Sequence, residues 1–176
     1  MFPVIPDSIK NLIAAMAVRP GMVIADFGAG SGFVATELAK KVGETGMIYA
    51  IDIMEPPLEI IRTEATTQRL FNIKTIESDL EQPKGSTLGN NSCDWVVVSN
   101  ILFQVPDQQA IASEAKRIAK QEGRIAVVEW NPEAMPSNDH HPLSKDNVKK
   151  LFEDQQLSFV SEFKPDASHF GMLFSK

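Results

Sequence analysis

Apolar and polar positions along this chain switch repeatedly between a helical and an extended period. Apolar residues at 9, 12, 13, 16 and 17 recur at helical spacing and predict a helix over 8–18 with Asp7 as its cap. Pro20-Gly21 then turns the chain, and the apolar run 22–27 reads as a buried first strand. A glycine-rich loop at 28–32 leads to a helix over 33–42, a turn at 43–46 and a second strand over 47–53. Pro56-Pro57 precedes a helix over 58–70, and a third strand follows at 73–77. Residues 82–92 are rich in Gly, Ser and Asn and read as loop. The fourth strand, 94–99, contains Val96, Val97 and Val98 in succession, as a central parallel strand buried on both faces requires.

The second half continues the alternation. A helix is predicted over 107–120, and Gly123-Arg124 leads into a fifth strand over 125–130. A proline-bearing loop, 131–143, precedes a helix that Ser144 caps and that runs to about 157. Two closing strands, 159–164 and 170–174, are separated only by 165–168. No crossover helix fits between them, so they must be antiparallel. The expected architecture is an α/β three-layer α/β/α sandwich. Its seven-stranded sheet is mostly parallel, with one antiparallel strand near the C-terminal edge. A length of 176 residues suits a single domain over 1–176.

Composition narrows the function. Seventeen basic and 23 acidic side chains give a net charge of −6 with no dense basic stripe, which disfavours a nucleic-acid partner and suits a cationic ligand such as a sulfonium. Cys93 is alone, so neither an intrachain disulfide nor a cysteine-rich metal site is expected, and no metal is assigned. The first residues lack the basic start of a signal peptide, and no apolar run approaches the ~20 residues that span a bilayer. A cytoplasmic protein is expected.

The strongest local feature is V-I-A-D-F-G-A-G-S-G-F, residues 23–33. Glycines at alternate positions after a strand let a ligand lie against the backbone, with helix amides facing it. A dinucleotide loop requires G-x-G-x-x-G, but Phe33 occupies the sixth position here and the third glycine falls at Gly32. Asp26, two residues before the first glycine, would repel a pyrophosphate and can serve a ligand carrying an amino group and a sulfonium. Asp52 ends the second strand in Y-A-I-D-I, where a carboxylate can accept hydrogen bonds from two adjacent ribose hydroxyls.

The pattern D-x-G-x-G-x-G resembles the first motif of class I (Rossmann-like) S-adenosylmethionine-dependent methyltransferases. That resemblance extends over nearly the whole chain, from Arg19 to Lys176, and is similar to the ubiquinone/menaquinone biosynthesis C-methyltransferase type. It implies a cofactor site formed by Asp26, Gly28, Ala29, Gly30, Ser31, Gly32, Asp52, Ile53, Asp79, Leu80, Asn100 and Ile101. Asp79 in I-E-S-D-L would hold the adenine amino group and Leu80 would pack on the ring. Asn100 and Ile101 would contact the methionine part. Asp94 opens the fourth strand as the family's fourth motif often does. The antiparallel end of the family's sheet corresponds to 159–174, which includes a His-aromatic-Gly run at His169 that is read as structural.

The expected activity is transfer of a methyl group from S-adenosylmethionine to a small-molecule acceptor, with a protein acceptor also open. The acceptor pocket is expected between the end of the fourth strand and the loop after the fifth, among Asn100, Phe103, Gln104, Glu129, Trp130, Asn131, His140 and His141. Candidates for a base are Glu129, His140 and His141, against their alternative as loop cap and exposed loop histidines. S-N-I-L after the fourth strand departs from the N/D-P-P-Y/F of nucleobase amino-methyltransferases. Two other readings stand beside this one: a non-catalytic S-adenosylmethionine-binding module, and an NAD(P)-dependent oxidoreductase, which the glycine spacing opposes.

Overall fold

A computed structural model describes residues 5–135 and 142–176. Seven strands among these residues form one sheet: β1 (Val23–Phe27), β2 (Met47–Asp52), β3 (Ile73–Glu77), β4 (Cys93–Ser99), β5 (Ala119–Trp130), β6 (Ser158–Phe163) and β7 (His169–Ser175). Their order is β3-β2-β1-β4-β5-β7-β6. All neighbours pair parallel except β5 with β7 and β7 with β6, so β7 alone runs against the rest, as expected from the sequence. Among the described residues, five α-helices cover the sheet: α1 (Asp7–Met16), α2 (Phe33–Val42), α3 (Glu55–Gln68), α4 (Gln108–Ile118) and α5 (Lys145–Asp154).

Side-chain alternation along the strands divides the core into two layers. Ile24, Ile48 and Val97 face α1, α2 and α3, packing on Leu12, Leu38 and Leu58. Ala25, Phe27, Val96 and Val98 face α4 and α5, packing on Ile111, Ala115 and Phe152. β1 sits beside both β2 and β4, so the chain's progress across the sheet reverses between β1 and β4. In open α/β sheets the crevice at the carboxyl ends of those strands is where ligands bind.

Element edges moved where local chemistry overrides periodicity. Asp7 lies inside α1 rather than capping it, paired with Lys10 at 2.9 Å, and Pro6 is the N-cap. Pro56 and Pro57 do not precede α3 but occupy its first turn, where a missing N–H costs nothing because those donors have no partner in the helix. α4 stops at Ile118, and β5 begins directly at Ala119. Pairing with β4 jumps from Cys93↔Ala119 to Trp95↔Arg124, so 120–123 bulge out of register. A strand that starts with a bulge carries no alternation to read. Among the described residues no helix is long and apolar enough to cross a membrane.

Candidate functional site

A cavity of about 330 Å³ opens at the carboxyl ends of β1, β2, β3 and β4. Of the residues expected to hold a cofactor, Gly28, Gly30, Asp52, Ile53, Asp79, Leu80, Asn100 and Ile101 line it. They come from four loops far apart in sequence, brought together by the strand order. Met54, Pro57, Ser78, Glu81, Gln104, Val105 and Ile111 complete the wall. Of these the sequence had pointed only to Gln104, and to it as an acceptor contact.

Asp52 organises the glycine loop. One carboxylate oxygen accepts the Gly30 N–H at 2.9 Å and the other accepts the Met54 N–H at 3.0 Å. Each oxygen keeps further acceptor capacity. Asp79 is held by its own turn, accepting the Glu81 N–H at 2.9 Å and Gln82 Nε2 at 3.0 Å. It is therefore both turn cap and cavity wall, and Leu80 beside it supplies a buried apolar surface.

Asp26 lies beneath the loop rather than in the cavity wall. It is 1% exposed, and its Oδ2 has no hydrogen-bond partner. Burial, and then the charge of Asp52, push its carboxyl up to about 7. An unpaired carboxyl oxygen at this depth is a polar position that the protein itself does not satisfy.

Three glycine-loop residues fall outside the wall. Ala29 is buried with its N–H given to Ile51 O at 3.0 Å. Ser31 borders a separate groove between α2 and α3. A Cβ on Gly32 would stand 2.4 Å from Ile61 Cγ1, so the third glycine serves contact between α2 and α3. By contrast a Cβ on Gly30 would meet nothing nearer than Gly28 O at 3.9 Å, so the space beside Gly30 is open.

Glu129 is not in this wall either. It is 2% exposed, and its Oε1 accepts the N–H groups of Ile101 and Leu102 at 3.1 and 2.9 Å. Burial pushes its carboxyl up to about 7 against those two hydrogen bonds. Glu129 thus pins the turn after β4. His140 and His141 lie outside the described residues. Asp94 is likewise a bracket, at the opposite end of the sheet: it accepts Val23 N–H at 2.8 Å and Lys120 Nζ at 2.7 Å. Cys93 is buried, and burial pushes its thiol up to about 11. Among the described residues no group of three or more His, Cys, Asp or Glu side chains is placed to hold a metal ion.

Known proteins resemble the chain in sequence and in fold. The family model described as "Methyltransferase domain" matches residues 19–159. The chain is 31% identical over 128 residues to a demethylmenaquinone methyltransferase of Staphylococcus aureus, covering 72% of this chain and 51% of the relative. It is 27% identical over 127 residues to a ubiquinone/menaquinone biosynthesis C-methyltransferase of Hydrogenovibrio crunogenus, covering 72% and 49%. The chain therefore spans about half the length of these curated relatives. Among solved structures, a SAM-dependent methyltransferase from Aquifex aeolicus superposes with a TM-score of 0.82 at 22% identity, covering 94% of this chain and 88% of that one. An N1-methyltransferase of Burkholderia thailandensis, bound to 1,6-didemethyltoxoflavin and S-adenosylhomocysteine, gives 0.72 at 16% identity, covering 96% and 76%.

Proposed function

Because the chain belongs to the methyltransferase domain family, we propose that it is an enzyme that transfers a methyl group from S-adenosylmethionine to a small-molecule acceptor, acting as one domain over 1–176. The observation that carries the reading is the pairing of the orphaned Asp26 Oδ2 with the open space at Gly30, under and beside the cavity. An ammonium and a sulfonium are cations, and a buried carboxylate lacking a counterion suits them. The residues present fit the cofactor. Asp52 would hold the ribose hydroxyls, Asp79 the adenine amino group, Leu80 the ring face, and Asn100 and Ile101 the amino-acid end.

Bound there, S-adenosylmethionine supplies an already activated methyl group, so the protein's task is chiefly to position an acceptor and exclude water. Glu129 contributes by fixing the turn that carries Ile101 and Leu102. The two curated relatives are named for quinone biosynthesis, which supports a small, unsaturated acceptor. The family match gives no support to a nicotinamide cofactor. Parallel calorimetric titration with S-adenosylmethionine, S-adenosylhomocysteine and NAD tests the proposal. Binding of both adenosyl ligands in the micromolar range without NAD is the expected result. NAD binding alone, or no adenosyl binding, overturns it.

A further inference from the structure

A second, smaller cavity of about 160 Å³ lies at the same edge of the sheet. Ser8, Ile9 and Leu12 of α1 and Val34 of α2 wall one side, and the ends of β4, β5 and β7 wall the other. Because β7 is antiparallel, its first residue stands at the carboxyl edge of its neighbours. His169 pairs with Trp130, the last residue of β5, and their ring centroids are 4.1 Å apart. Asn100 lines both cavities, so the two adjoin there.

Two buried polar atoms at this cavity have no partner, His169 Nε2 and Asn100 Oδ1. Buried polar atoms are normally paired, so two unpaired around one small space point to a ligand. The ring orientation says what that ligand must offer. His169 Nδ1 lies 2.9 and 3.0 Å from the two oxygens of Asp166. The Asp166 carboxyl is pulled below its usual range, because the ring and the N–H groups of Ser168 and His169 outweigh its partial burial. A carboxylate only accepts hydrogen bonds, so Nδ1 carries the proton, and in the uncharged form that a base requires Nε2 presents a lone pair. Both orphaned atoms are then acceptors, and the ligand must donate. The turn holding Asp166 is tied to α1 by Asn11 Nδ2 donating to Pro165 O at 2.8 Å.

We propose that His169, oriented by Asp166, is the base of the acceptor subsite, its Nε2 removing the proton from a phenolic or enolic hydroxyl on an acceptor seated against Ile9, Leu12, Val34 and Val128. The proposal rests on the methyl-transfer reading above. Imidazole is too weak a base for an aliphatic alcohol, whereas a phenol, which ionises near pH ~10, is within its reach. The proton passes to Nε2 and the O–H electron pair stays on the acceptor. That pair, or the carbon conjugated to it, bonds the methyl carbon, while the carbon–sulfur pair stays on sulfur. Asp166, a positioning residue, faces the resulting imidazolium without taking its proton.

The test is nitrogen NMR of protein labelled with ¹⁵N-histidine and saturated with S-adenosylhomocysteine, the His169 signals being assigned by their loss in His169→Phe. The expected spectrum shows the Nδ1–H form of His169, which Asp166→Asn converts to a mixture. Added phenol should shift Nε2, and anisole, of similar shape without the donor, should not. His169→Phe should weaken phenol binding at least tenfold and change S-adenosylhomocysteine affinity less than twofold. His169→Gln serves if the phenylalanine variant does not fold. An Nε2–H ring, equal response to phenol and anisole, no response to phenol, or phenol binding indifferent to His169 would each overturn the pair. Failure of the unaltered protein to bind S-adenosylhomocysteine instead overturns the methyl-transfer reading, and the ring form and phenol response still report on the cavity.

Discussion

At the scale of single residues, Gly30 and Gly32 look equivalent in the sequence and are not. Both have left-handed φ, +49° and +79°, so a side chain at either is strained by ~1–2 kcal/mol. Beyond that they diverge. Gly30→Ala places its methyl in open space, so the protein should fold with only that loss, and S-adenosylmethionine affinity should fall tenfold or more by calorimetry. Gly32→Ala drives a methyl into Ile61, so its melting temperature should fall further, and Ile61→Ala should restore part of it. Equal effects of the two substitutions on affinity would contradict this division. Asp52→Ala removes both the ribose acceptor and the anchor of Gly30 and Met54. Its S-adenosylmethionine affinity should drop about 10- to 100-fold, at 1.4 kcal/mol per decade. The sequence marked Asp52, Asp79 and Asn100 because their types and strand-end positions are local facts. It left Glu129 open between acceptor contact and loop cap, because only the tertiary structure shows that its carboxylate meets the N–H groups of Ile101 and Leu102.

At the scale of elements, α4 carries the parts that hold the far wall of the cofactor cavity. Asp107 caps it by accepting Ala110 N–H at 3.0 Å, and the Asp107 N–H is given to Glu81 of the cavity wall at 2.7 Å. Further along, Arg117 donates to both oxygens of buried Glu114 at 2.7 Å, and Glu114 accepts Ser86 N–H at 2.8 Å. These bonds fasten the loop between β3 and β4, which has no periodicity of its own to specify it. Arg117→Ala should destabilise the protein by about 3 kcal/mol, since it strands a buried carboxylate. Asp107→Ala should cost about 1 kcal/mol, the usual value of an N-cap. Urea unfolding distinguishes the two, and a loss below 1 kcal/mol for Arg117→Ala would mean Glu114 is not held as described. The helix over 33–42 and the central strand β4 were legible because the first has a strong period and the second a continuous apolar run, Val96 to Val98. The start of β5 was not, since its bulge is set by pairing with β4.

At the scale of the molecule, two carboxyls, Asp26 and Glu129, are buried along the ligand edge and held near pKa 7. In the unfolded chain they ionise near pH ~4. The folded state therefore binds more protons between about pH 4 and 7, so their contribution to stability falls as pH rises through that window and levels off above it. Without ligand, the melting temperature should drop between pH 5 and 8, at about 2–4 °C per kcal/mol for this size. Asp26→Asn should flatten that slope, and an unchanged slope would exclude Asp26 as its source. A cationic ligand should lower the Asp26 value, so S-adenosylmethionine binding near pH 6.5 should release protons, measured by calorimetry in buffers of different ionisation enthalpy. The sequence by itself determined the alternation of strands and helices, the antiparallel ending and the acids at strand ends, because periodicity and residue type act locally. Only the tertiary structure decided the order β3-β2-β1-β4-β5-β7-β6 and thereby which ends share a crevice. It also decided that Glu129 is an anchor, and it brought His169, near the end of the chain, beside Asn100. Those assignments depend on contacts between residues far apart in the chain, and no local period encodes them.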